Sequence, residues 1–192
     1  MSAREGGTLK VRMSASRPFV FEHPPHARLA VAVLRRLPPF AGQPIRIQYL
    51  PGLRDPRGEI HAGAFLRERR VVFNCTPVEF RRVFVHEVFH FVWWRIGNAR
   101  RESYEEILRA ELRARARGEL GWSAEWRKRA LGEGDIRQRS RRWREYCCES
   151  FCDSAAWLYS GLRHHAEFTL AGRFRASRHR WFAVRIRGCL SI

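Results

Sequence analysis

Residues 76–97 read TPVEFRRVFVHEVFHFVWWRIG and set His86, Glu87 and His90 in the order HExxH. The segment predicts a helix from its own start and stop signals. Thr76 is a good N-cap, Pro77 suits the first helical position, Glu79 three residues on completes a capping box, and Gly97 with Asn98 supplies the stop. Between these ends Val83, Phe84, Val88, Phe91, Val92 and Trp94 are apolar nearly all round, the pattern of a helix sunk in a core. On such a helix two histidines four apart stand on one face and can reach one metal ion. Glu87 beside them is positioned to take a proton from metal-bound water, whose pKa zinc brings to about 7. The stretch points to a metal-hydrolase site.

Working outward, residues 59–66 (EIHAGAFL) and 71–75 (VVFNC) flank the charged turn 67–70 and predict a hairpin that leads directly into this helix. Residues 45–50 (IRIQYL) alternate in strand fashion before a turn over 51–58. Residues 26–37 (HARLAVAVLRRL) carry apolar side chains at helical spacing until Pro38 and Pro39 end them. The first twenty residues read as a loose start holding a short strand at 8–13. Downstream, 101–117 is helix-prone but charged on most faces, and 118–134 is interrupted by glycines around a short helix near 122–131. Residues 98–134 are therefore expected to form an arginine-rich helical insertion. From Asp135, an N-cap residue, one long helix is expected to run through YCCESFCDSAAWLYS to Gly161, its second half packing inside. In the tail, 180–186 (RWFAVRI) reads as a strand. The fold class is α+β: a single domain with a short mixed sheet of about three strands packed against the HExxH helix and a second, glutamate-bearing helix.

Composition excludes several classes. A 45% hydrophobic and 12% aromatic chain of 192 residues is long enough for a real core and too apolar for disorder. No apolar run reaches the roughly 18 residues a membrane span needs, and MSAREGGTLKVRMS has no apolar signal region, so a cytoplasmic protein with no membrane partner is expected. Five cysteines, Cys75, Cys147, Cys148, Cys152 and Cys189, make no spaced disulfide framework and read as small buried side chains. A zinc reading of Cys147, Cys148 and Cys152 finds no second pair at finger-like spacing. The net charge of +18 is almost wholly arginine, since Lys10 and Lys128 are the only lysines. Such an excess could draw nucleic acid or another polyanion, although no nucleic-acid-binding motif accompanies it.

A catalytic zinc needs a third protein ligand. Of the aspartates Asp55, Asp135 and Asp153, only Asp153 has a glutamate four residues before it, Glu149. On a helix the two carboxylates share a face, so Glu149 could bind the metal while Asp153 accepts a hydrogen bond from the far nitrogen of a ligating histidine. Their setting, CCESFCDSAAW, is one where an unpaired charge is costly to bury. A third histidine from His164, His165 or His179 is the other option, while Glu102, Glu105, Glu106 and Glu111 read as solvated charges.

HEVFH followed downstream by ESFCD resembles the gluzincin group of zinc metallopeptidases, and the order of elements resembles the small zincin core of minimal metallopeptidases and minigluzincins. That resemblance implies that His86, His90 and Glu149 bind Zn2+, that Glu87 is the general base, and that Asp153 orients a histidine ligand, His86 in the first place. It implies peptide hydrolysis, with the edge strand, expected at residues 71–74, pairing with an extended peptide or protein substrate. The stretch between His90 and Glu149 is longer than thermolysin-like members use. For the residue that stabilises the oxyanion, Tyr146, Tyr159, His164 and His165 stay open. A catalytically weak regulatory protein of the same fold, binding a polyanion, is the alternative.

Overall fold

The computed structural model describes residues 18–56 and 58–192; the strand expected at 8–13 lies outside them. The chain opens with β1 (Phe19–Phe21), α1 (Pro24–Leu34), β2 (Phe40–Ala41) and β3 (Ile45–Tyr49). A small hairpin, β4 (Arg54–Asp55) and β5 (Gly58–Glu59), leads into β6 (Ala62–Phe65) and β7 (Arg70–Phe73). Then come α2 (Pro77–Arg95), α3 (Asn98–Arg113), α4 (Trp122–Arg129), α5 (Glu133–Arg137), α6 (Arg141–Tyr159), α7 (Gly172–Arg185) and β8 (Leu190–Ser191). The architecture is mixed α+β, with seven helices among the described residues and a small mixed sheet. No described helix is long and apolar enough to cross a membrane.

The main sheet has the order β1-β3-β7-β6, parallel except for β6, which runs antiparallel to β7. Parallel strands need a crossover, and α1 provides the one between β1 and β3. Ile45, Ile47, Val71 and Phe73 are fully buried, consistent with alternate side chains pointing into one layer. The expected edge at residues 71–74 is corrected here: β7 lies between β3 and β6, and the edge strands are β1 and β6. The turn 67–70 folds the antiparallel strand outward, which alternation alone does not reveal.

Helix α2 packs against α1, β6 and β7 on one side and most extensively against α6 on the other. Its apolar residues all round follow from that: Phe80, Phe84, Val85, Val88, Phe89, Phe91 and Val92 are each fully buried. Thr76 takes the N-cap backbone position but its side chain makes no capping bond, and Glu79 turns to Arg82 and His165 instead of completing a capping box. The helix begins without that box because Pro77 presets its first turn. At its other end Gly97 adopts φ 78°, which turns the chain directly into α3.

Three further expectations change. The helix expected from Asp135 is two: Asp135 caps α5 by accepting from the Gly132 backbone N–H, Arg139 takes φ 49°, and Ser140 caps α6 through the Trp143 N–H. Glu105 and Glu111, read as solvated charges, are buried and ion-paired, and their region packs inward through Tyr104, Leu108, Leu120 and Ala124, each fully buried. Of residues 180–186, read as a strand, 180–185 belong to α7 and Ile186 is its C-cap. The inner face of α7 is Phe174, Arg178, Trp181 and Phe182, and the arginine in that row hides the helical period from a hydrophobicity reading.

Arg178 is fully buried and forks onto two carboxylates, Glu111 at 2.9 and 2.6 Å and Glu119 at 2.7 and 3.1 Å. Tyr146 donates to Glu119 at 2.7 Å and Lys128 lies 3.2 Å from it, so two cations balance two anions. This junction ties α3, the loop before α4, α6 and α7 together behind the cleft described next.

Candidate metal centre and cleft

Facing faces of α2 and α6 bring the predicted residues together. His86 Nε2 lies 3.2 Å from His90 Nε2 and 3.2 Å from Glu149 Oε2, and the three donor atoms all fall within 4.8 Å of one another. Ligands at about 2.0–2.1 Å around a tetrahedral ion stand about 3.3 Å apart, so the donor set fits a small cation that takes nitrogen and oxygen. On its far side His86 Nδ1 donates to Asp153 Oδ1 at 2.7 Å, which fixes the ring tautomer and aims the Nε2 lone pair at the cluster. The Ala124 N–H donates to the other oxygen, Asp153 Oδ2, at 3.1 Å, in the first turn of α4 where the helix dipole favours an anion. Gly121 permits this approach, because a Cβ there would overlap the Asp153 carboxyl.

Glu87 lines the same cleft, and burial raises its pKa above the ordinary carboxylate value. Burial also acts on the ligand candidates, but their partners outweigh it. It would lower His86, yet the Asp153 and Glu149 carboxylates hold that imidazole well above its usual value. It would raise Glu149, yet His86, His90 and Arg127 bring it down to about 2. It would lower His90, yet Cys148, with Sγ 3.4 Å from His90 Nδ1, and Glu149 push it up to about 9. A hydrogen bond from Cys152, stronger than the opposing burial, brings Cys148 down to about 6.

The cleft has a volume of about 640 Å³ and runs between β6 and α4. Ala62, Gly63 and Ala64 form one wall; Trp122, Ser123, Trp126 and Arg127 form the other. Asn74 donates its backbone N–H to the His61 carbonyl at 2.7 Å, and Gly63 pairs with Val72 and Phe65 with Arg70. In an antiparallel ladder, bonded and non-bonded pairs alternate, so the backbone groups of Ala62 and Ala64 face outward from the sheet.

The alternatives weighed for ligation and for the oxyanion fall elsewhere. His165 bonds Glu79 at 3.1 Å, His179 packs on Trp157, and neither joins a metal-binding group among the described residues. Glu105 and Glu111 serve arginines and Trp143. Tyr146 is fully buried on Glu119, Tyr159 stacks on Phe89, and none of Tyr146, Tyr159, His164 and His165 lines the cleft. Arg127 does line it, 3.2 Å from Glu149 Oε1, as does Arg82, which is held by Glu79 and Glu167. Sequence reasoning missed both arginines, since one among so many carries no local signal. It missed the contact of Cys148 with His90 as well, although Cys148 precedes Glu149 directly and stands four residues before Cys152. Compared with protein-family models, with curated proteins and with solved structures, the chain matches none.

Proposed function

We propose that this chain is a zinc metallopeptidase of gluzincin type with a zincin-like core, acting in the cytoplasm on extended peptide or protein substrates. The observation that carries the reading is the meeting of three donors, with His86 Nε2 3.2 Å from both His90 Nε2 and a Glu149 oxygen, and with Glu87 on the same cleft. A zinc ion held by His86, His90 and Glu149 would polarise a scissile carbonyl and make water acidic enough to deprotonate near neutral pH. Glu87 takes the proton from the attacking water and passes it to the leaving amine; its raised pKa suits both halves of that transfer. Asp153 keeps His86 in the tautomer that presents Nε2. The outward backbone groups of Ala62 and Ala64 receive the substrate main chain as an added strand, which sets the peptide across the cleft.

Elemental analysis after dialysis tests the centre. About one zinc per chain is expected in the parent and a large loss in Glu149→Ala. Full zinc in both would remove Glu149 from the site. Glu87→Gln is expected to keep the metal and lose turnover by at least about 100-fold, measured on any peptide that the parent cleaves; undiminished cleavage would remove Glu87 as the base.

The +18 charge favours a second reading, a regulatory protein of low activity that binds nucleic acid or another polyanion through its arginine surface. Salt-dependent binding of DNA or RNA by a chain that cleaves no peptide is the result that selects it.

A further inference from the structure

Behind the donor cluster lies another group of soft ligands. Cys148 and Cys152 stand one turn apart on α6, and His90 Nδ1 lies 3.4 Å from Cys148 Sγ. One donor atom from each of His90, Cys148 and Cys152 falls within a common 4.8 Å, and Cys152 is fully buried. Nitrogen and sulfur held at about 2.0–2.3 Å by one ion stand roughly 3.5–4.0 Å apart, so closing on an ion asks for little movement. We infer that His90 Nδ1, Cys148 Sγ and Cys152 Sγ form a second metal site, selective for soft, thiol-seeking cations of the Cu(I), Cd2+ and Zn2+ kind, which competes with the first centre for His90.

The donor chemistry sets the selectivity. Two thiolates and an imidazole favour soft cations over Mg2+, Ca2+ and Mn2+, which prefer oxygen. Each thiol releases its proton to solvent as its sulfur takes the ion, so the two thiolates neutralise a divalent cation inside the protein. Competition follows from the imidazole. A neutral ring has one bare nitrogen and one N–H. When His90 offers Nε2 to the centre with His86 and Glu149, Nδ1 keeps the proton and donates towards Cys148. When Nδ1 takes a soft ion, the proton moves to Nε2 and the first centre loses a ligand. One imidazole thus makes the two sites alternatives, and excess soft metal acts as an inhibitor of the first.

The thiolate site stands independently of the peptidase reading, because Glu149→Ala removes the first centre and leaves all three of its donors in place. The test is titration of the reduced chain with cadmium alone, followed by thiolate-to-cadmium charge-transfer absorption in the ultraviolet. One equivalent is expected to develop the band in the parent and in Glu149→Ala, and Cys152→Ala and Cys148→Ala are each expected to lose at least half of it. Near-ultraviolet circular dichroism matching the parent shows that each variant is folded. No band in a parent whose thiols titrate as free, or an undiminished band in both folded cysteine variants, overturns the site. Competition is read by loading the parent with zinc first: cadmium is expected to release about one zinc per cadmium bound through thiolate. Full retention of zinc beside a full cadmium band overturns the shared use of His90.

Discussion

His26 lies flat on Phe80, with ring centroids 4.5 Å apart and planes 6° from parallel, and is only 4% exposed. Burial first, and then the neighbouring His23, lower its pKa to about 4. The unfolded chain, with an ordinary value near 6.5, binds the proton more readily, so stability falls as pH drops from about 6.5 to about 4. The loss from this ring is on the order of 2–3 kcal/mol. Urea midpoints at pH 7.5 and pH 4.5 are expected to differ less in His26→Phe than in the parent; an equal drop would show that the ring does not carry the proton linkage. Gly121 makes the second prediction at this scale. Because a Cβ there would displace the Asp153 carboxyl, Gly121→Ala is expected to weaken zinc binding ~10–100-fold, as Asp153→Asn should. Chelator competition measures this, and unchanged affinity in Gly121→Ala would show that Asp153 can yield without disturbing His86.

Among the elements, β6 is the one whose orientation bears on substrate. The backbone N–H of Ala62 faces away from β7, so Ala62→Pro removes one outward donor without breaking a ladder bond. KM is expected to rise about 5–10-fold, for roughly one lost hydrogen bond, while kcat changes little. A fall in kcat with KM unchanged would place the substrate main chain elsewhere. Helix α2 was legible from the sequence because Pro77, Gly97 and an apolar surface all round mark its ends and its depth. His86, His90, Glu149 and Asp153 were legible as a group because each pair sits four residues apart on a helix, and the structure sets the two helices face to face. The parts that were not legible are of two kinds. Strands β1, β2 and β8 have only three, two and two residues, too few for a period, and take their partners from far along the chain. Helix α7 and the cleft wall from α4 depend on arginines used inside the structure, which composition reads as surface.

Across the whole molecule, charge divides between a basic exterior and a paired interior. Arg178→Met leaves Glu111 and Glu119 with Lys128 as their remaining cation at the buried junction, a loss of about 3–5 kcal/mol. The melting temperature is expected to fall by roughly 6–20 °C. That fall should persist in high salt, since buried charges are little screened; a loss that salt abolishes would mean the junction is open to water. The pairing of β8 with β2 has another consequence. Leu190 and Ile192 are buried in the main core beside Phe40, and Ile192 donates its backbone N–H to the Ala41 carbonyl at 2.9 Å. During synthesis, α1, α2 and the sheet emerge well before residues 190–192. The nascent chain therefore holds an open apolar seam along β2 until residues 190–192 arrive, and that seam is exposed to wrong partners for as long as the covering strand is missing.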